Sequence, residues 1–203
     1  MPNWIISPDK YLTPEETRRL RKICQEAALA AKARGIQAPV RDRLIIELAL
    51  GSGLRVSELA NLKVEELYLK KGQNSLIVRN GKGGKDGVVQ FNAKLKELIL
   101  EYLSYRHSTS PFLFPSKHGE RITASGIQQV FKKWAAKAGL PGRYSIHSLR
   151  HTYAVRLYKA SGYNLRLVQK QLRHSSVATT QVYADVLDAD ADQALENLDL
   201  NDE

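Results

Sequence analysis

Apolar positions repeat every three or four residues along most of the chain, and one stretch breaks the habit. In LTPEETRRLRKI, Thr13 suits an N-cap, Pro14 the first helical position and Glu16 the third position of a capping box, predicting a helix that runs through EAALAAKA and stops at Gly35. A second helix starts at Pro39 (VRDRLIIELALGSG), is apolar at Leu44, Ile45, Leu48 and Ala49, and is closed by Gly51 and Gly53, which places it in the core. In GLRVSELANLKVEEL, Gly53 allows a turn and Arg55 begins a third helix, with Leu54, Val56 and Leu59 packing around it. Residues 67–91 then change to the branched, alternating character of strands: LYLK, SLIVRN and DGVVQFN, the last two joined by the hairpin connection GKGGK. Helical periodicity returns at 93–107 and, after the aromatic loop SPFLFPSKHGERI with its turn at His118 and Gly119, at Thr123–Gly139 around Trp134. The last patterned region is LRHTYAVRLYKA, followed by a helix marked by Leu165, Val168 and Leu172 that ends at His174. Ser175 and Ser176 then serve as N-caps for a helix carrying Tyr183. The expected fold class is mainly α with a small antiparallel β-sheet (α+β), in one domain without internal repeats.

Composition narrows the class. With 43% apolar and 26% charged residues, the chain has the make-up of a folded protein and not of a disordered one. No apolar run approaches the roughly 20 residues of a membrane span, and MPNWIISPDK lacks the cationic start and apolar centre of a signal peptide. A cytoplasmic protein is expected. Cys24 is the single cysteine, so no intrachain disulfide can form, and its helical setting predicts a small buried thiol. Charge is distributed unevenly. Residues 184–203 hold eight acidic side chains and no Lys or Arg, leaving 31 basic against 13 acidic residues, or +18, for residues 1–183. Such a body favours a polyanionic partner, most simply nucleic acid, because neutralised phosphates release counterions.

The candidate chemistry lies in the stretch from Tyr144 to Tyr183. His147 and Arg150, three apart, share one face of a helix end, and His174 and Tyr183 follow at the ends of the next two predicted helices. A phenol with arginine and histidine neighbours points to phosphoryl transfer without a metal. Arginine presents a fork of donors to phosphate oxygens, histidine takes or shares a proton near neutral pH, and the tyrosine acts as nucleophile. Taken singly, each of these residues has a plain structural role as a core or surface side chain, so the case rests on the set. Arg55 joins it: an arginine flanked by apolar residues at a helix start must be paired, for example with Glu58 three residues on, or functional.

Two motif resemblances fail. GKGGK followed by Asp86 lacks the Ser or Thr of a Walker loop and the third glycine of a dinucleotide fingerprint, which leaves a hairpin whose tip brings a lysine to phosphate or is a solvated turn. Asp188, Asp190 and Asp192 imitate the start of a calcium loop, but Gln193 replaces its glycine and Asp199 its final glutamate. Those residues fit better on an acidic amphipathic helix with Leu187, Ala191, Ala194, Leu195 and Leu198 on one side.

Taken together, GSGLRVSELANL, NGKGGKDGVV, IHSLRHTYAVRL and VQKQLRHSSVATTQVYADV, in that order, resemble the catalytic domain of tyrosine recombinases, the phage-integrase and Xer-type enzymes. The resemblance covers nearly the whole chain and fills six separated positions at once. It implies that Arg55 and Arg150 clamp the scissile phosphate and that Lys82 protonates the departing 5′ oxygen. His147 would assist deprotonation of Tyr183, His174 would hydrogen-bond the phosphate, and Tyr183 would form a covalent 3′-phosphotyrosyl link. It further implies no cofactor and no metal, double-stranded DNA as partner, and a homo-oligomer on DNA, dimer or tetramer, that exchanges C-terminal segments. Lys85 and Arg173, neighbours of these positions, are expected to contact phosphates, and Glu58 to support Arg55. The domain map expected is a leader at 1–10, a catalytic domain at 11–186 and an acidic helix or tail at 187–203, without the separate DNA-clamping domain that usually precedes the catalytic one. A relaxing activity like that of type IB topoisomerases, or a silent DNA-binding protein on the same fold, are the alternatives.

Overall fold

The computed structural model describes residues 8–79, 86–173 and 180. Within them the order is α1 (Pro14–Ala33), α2 (Ala38–Ser52), α3 (Val56–Asn61), β1 (Leu67–Tyr68), β2 (Ser75–Val78), β3 (Gly87–Gln90), α4 (Ala93–Tyr105), α5 (Ala124–Lys137), α6 (Ile146–Ala160) and α7 (Leu165–Leu172). The mainly helical architecture with a small antiparallel sheet is as expected. None of the described helices is long and apolar enough to cross a membrane.

Helix α1 begins on the predicted capping box: Thr13 Oγ1 accepts from the Glu16 N–H at 3.2 Å, and Glu16 Oε2 accepts from the Thr13 N–H at 2.9 Å. The same Glu16 oxygen accepts from the Tyr144 hydroxyl at 2.9 Å, and the Leu12 N–H donates to Thr152 Oγ1 at 2.9 Å. The start of the domain is thereby fastened to α6 and to the segment leading into it. Helix α2 is the centre of the core, with Leu44, Ile45, Ile46 and Leu48 almost wholly buried between α1, α4, α5 and α6. Its end differs from the sequence expectation. Gly51 lies inside the helix, where a Cβ would come within 2.9 Å of Leu95 Cδ2, and the chain leaves the helix only at Gly53, with φ +61°. Gly51 thus serves close packing against α4, and Gly53 the left-handed exit.

Asp42, 1% exposed, is a carboxyl group set in this core. Asp42 accepts through Oδ2 from Trp134 Nε1 and Lys133 Nζ, both at 3.0 Å, and through Oδ1 from Arg41 Nη2 at 2.7 Å. Asp42→Ala is expected to cost about 1–3 kcal/mol in urea unfolding, because it strands the buried indole N–H without an acceptor; Asp42→Asn, which keeps an acceptor oxygen, should recover part of the loss. Cys24 is buried as expected, and burial, followed by the charges of Glu47 and Asp42, pushes its thiol up to about 12.

The sheet has the order β1-β2-β3, antiparallel throughout, with Leu76 opposite Val89 and Val78 opposite Gly87. Leu76, Val78 and Val89 face the core, and an Arg79–Asp86 ion pair closes the mouth of the β2–β3 hairpin. The tip at 80–85, with Lys82 and Lys85, lies outside the described residues. After α4, Arg106 binds the carbonyls of Ser108, Ser110 and Phe112, which shapes the aromatic loop. Helix α7 stops at Leu172, short of the expected end at His174, because Arg173 turns left-handed (φ +54°) and its N–H donates back to the Lys170 carbonyl. His174, the capping serines 175 and 176, Tyr183 and the acidic segment 187–203 lie outside the described residues.

Candidate active site

Arg55 is the N-cap residue of α3, where sequence reasoning took it as the first helical residue. Glu58 reaches back to it twice: Oε2 accepts from the Arg55 N–H at 2.7 Å, and Oε1 from Arg55 Nη1 at 2.8 Å. This half of a capping box holds a guanidinium whose side chain keeps 27% of its exposure. The local pair expected from spacing is therefore present, and it aims the arginine as well as starting the helix.

Arg150 is on α6, and it is buried to 7% exposure. Its Nη1 donates to the Gly53 carbonyl and its Nη2 to the Leu172 carbonyl, the latter at 3.0 Å. Both acceptors stand at helix ends, α2 and α7, where carbonyls lack intrahelical partners and a cation is favoured. A single side chain thus ties together the turn that precedes Arg55, the first turns of α6, and the end of α7 from which the chain proceeds to His174. Gly53 makes this possible: its left-handed turn lies against Tyr153 and Leu172 with no room for a side chain.

His147 lies in the first turn of α6, exposed, one turn before Arg150. Beside them is a histidine that sequence reasoning missed. His151 is pushed down to about 4 by burial, then by the charges of Arg150, His147 and Lys10, so it is a neutral imidazole at neutral pH. Nothing in the spacing of RHT distinguishes it from a surface residue. Tyr153 is held up at about 12, chiefly by burial against the opposing pull of Arg173 and Arg150, so it stays a phenol.

Arg173, for which a phosphate contact is expected, reaches to α3. Its side chain is 12% exposed and its Nη2 donates to Glu58 Oε2, while Nη1 donates to the Gln171 carbonyl at 3.2 Å. Burial alone would raise the Glu58 carboxyl; the Arg173 charge, the Arg55 N–H and the Arg55 guanidinium outweigh it and hold Glu58 below the usual carboxylate range. Two arginines, Arg55 and Arg173, thus share one ionised carboxylate. Among the described residues no group of three or more His, Cys, Asp or Glu side chains is placed to hold a metal ion.

Residues 10–190 match the model of the phage integrase family. The chain belongs to that family. Its relatives include the tyrosine recombinase XerA of Pyrococcus furiosus, 36% identical over 194 residues, which cover 94% of this chain and 62% of the relative. Among solved structures, the crystal structure of XerA recombinase superposes with a TM-score of 0.72 at 27% identity, covering 90% of this chain and 65% of that one. The XerH site-specific recombinase bound to its difH substrate in a pre-cleavage complex gives 0.73 at 27% identity, covering 86% of this chain and 50% of that one. This phage integrase family chain therefore spans about two thirds or less of the recombinases it resembles, and the family match at 10–190 contains every helix and strand described above.

Proposed function

We propose that the chain is a DNA strand transferase of the tyrosine recombinase type, with its catalytic domain at 11–186. The observation that carries this is the tie between Arg150 and the turn before Arg55: the Arg150 guanidinium is bonded to the carbonyl of Gly53, two residues before Arg55, with His147 one helical turn from Arg150. In this reading the two arginine forks, on segments tied together by that bond, hold the non-bridging oxygens of a phosphodiester and neutralise the charge that gathers on them as the phosphorus is attacked.

In this reading Tyr183 attacks the phosphorus in line, the bond to the 5′ oxygen breaks, and the DNA is left joined through a 3′-phosphotyrosyl ester. His147 assists removal of the phenol proton, His174 donates a hydrogen bond to the phosphate, and Lys82, between β2 and β3 in sequence, gives a proton to the leaving 5′ oxygen, which departs as the 5′ hydroxyl. Attack by another 5′ hydroxyl reverses the steps, so the ester energy is conserved and no nucleotide is consumed. The partner is double-stranded DNA, with Lys85 among its phosphate contacts, held by a dimer or tetramer whose acidic tails pack between copies; the site of action is the cytoplasm, on the nucleoid.

The test uses a library of nicked duplexes of randomised sequence, in which the fragment beyond the nick diffuses away after cleavage. Incubation in EDTA should give a protease-sensitive covalent protein–DNA band on a denaturing gel. DNA binding without a covalent band from any member of the library would overturn the proposal.

A further inference from the structure

We propose that Arg173 is a positioning residue: through Glu58 it holds the Arg55 guanidinium in place, and it does not itself contact DNA. The inference rests on the strand-transfer reading above and concerns how that site is kept in shape.

Three observations converge. Glu58 is shared, with Oε1 on Arg55 Nη1 and Oε2 on both the Arg55 N–H and Arg173 Nη2, and its side chain is only 7% exposed. A carboxylate so enclosed needs both cations, and removal of one leaves it free to rotate about the other. Arg173 is also one of two non-glycine residues with positive φ among the described ones, at the C-cap where glycine is usual. A side chain is kept at a position whose backbone favours none, and that side chain reaches across 115 residues of sequence to α3. Finally, β3 gives way to it: a Cβ at Gly87 would overlap Arg173 Cδ, so the strand passes under the arginine with no side chain of its own, and the Gln90 N–H donates to Gln171 Oε1 beside it at 3.3 Å.

The result is a cross-brace. It links the start of α3, which carries Arg55, to the residue that precedes His174 and to the strand that follows the Lys82 hairpin. The groups that would touch DNA are brought by three separate segments, and the Glu58–Arg173 pair is where those segments are locked to one another.

The experiment compares wild type, Arg173→Gly, Arg173→Lys, Glu58→Gln and the double variant Glu58→Gln/Arg173→Gly, in single-turnover cleavage of a nicked duplex and in DNA affinity over a range of salt. Glycine suits the left-handed backbone, so Arg173→Gly tests the side chain without straining the cap. The expectation is a tenfold or greater fall in cleavage for Arg173→Gly, partial rescue by Arg173→Lys, a double variant no slower than Glu58→Gln, and an unchanged salt dependence of binding. Wild-type cleavage by Arg173→Gly would overturn the inference. So would a salt slope reduced by about one together with multiplying effects in the double variant, the signature of a direct phosphate contact. Failure of the wild-type protein to cleave is a separate result, and it overturns the strand-transfer reading itself.

Discussion

Gly53→Ala should lower stability by about 2–4 kcal/mol and should abolish DNA cleavage with it. The backbone at Gly53 has φ +61°, where an L-residue is disfavoured by about 1–2 kcal/mol. The added Cβ would also overlap Tyr153 Cδ1 and approach Leu172 Cδ2 to 2.8 Å. Leu172 is wholly buried and Tyr153 packs in the same small cluster, so relief requires a backbone shift, and overpacking of this kind costs about 1–3 kcal/mol. Alanine gains back only about 0.4–1 kcal/mol by restricting the unfolded chain. Any such shift moves the Gly53 carbonyl, which is one of the two acceptors holding Arg150, and moves Arg55 two residues on. Urea unfolding gives the stability; a loss below about 1 kcal/mol would mean that the turn is softer than its packing indicates.

Arg150→Ala should cut single-turnover cleavage by about 1000-fold or more, the scale on which an arginine stabilises a transferring phosphoryl group. It should also destabilise the fold, because the Gly53 and Leu172 carbonyls lose a charged donor in a buried place. Arg150→Lys separates the two effects. Lysine restores a positive charge but is a point donor without the planar fork, so it can serve one carbonyl or the phosphate and not the whole set. The lysine variant is therefore expected to recover more stability than activity. Equal recovery of both would show that charge alone, without the geometry, is what the site needs.

Local features were the legible ones. The capping box of α1, the i, i+3 relation of Arg55 to Glu58, and the alternation that predicts β2 and β3 all act within a few residues, where spacing carries the physics. Gly51 and Gly53 look alike in sequence, and only the packing of Leu95 on one and the left-handed turn at the other tell them apart. The bonds that assemble the site are long-range. Arg150 to Gly53 spans 97 residues and Glu58 to Arg173 spans 115, just as Asp42 to Trp134 in the core spans 92, and no periodicity encodes them. The Glu58 bond of Arg173 was hidden for the same reason: beside His174 the residue resembles a phosphate contact, and its partner is 115 residues away in the chain. His151 escaped notice because its neutrality comes from burial and from neighbouring cations, which appear only once α6 is packed.

The claim at the centre of this account is that Tyr183 carries the DNA during exchange. The direct measurement is to trap the covalent product on a nicked duplex in EDTA, digest protein and DNA, and locate the nucleotide-bearing peptide by mass spectrometry, with Tyr183→Phe treated in parallel. The account predicts one modified peptide, a phosphonucleotide on Tyr183 joined to a 3′ end, and no adduct from the phenylalanine variant. A nucleotide found on any other residue, or an adduct that persists in Tyr183→Phe, would contradict it.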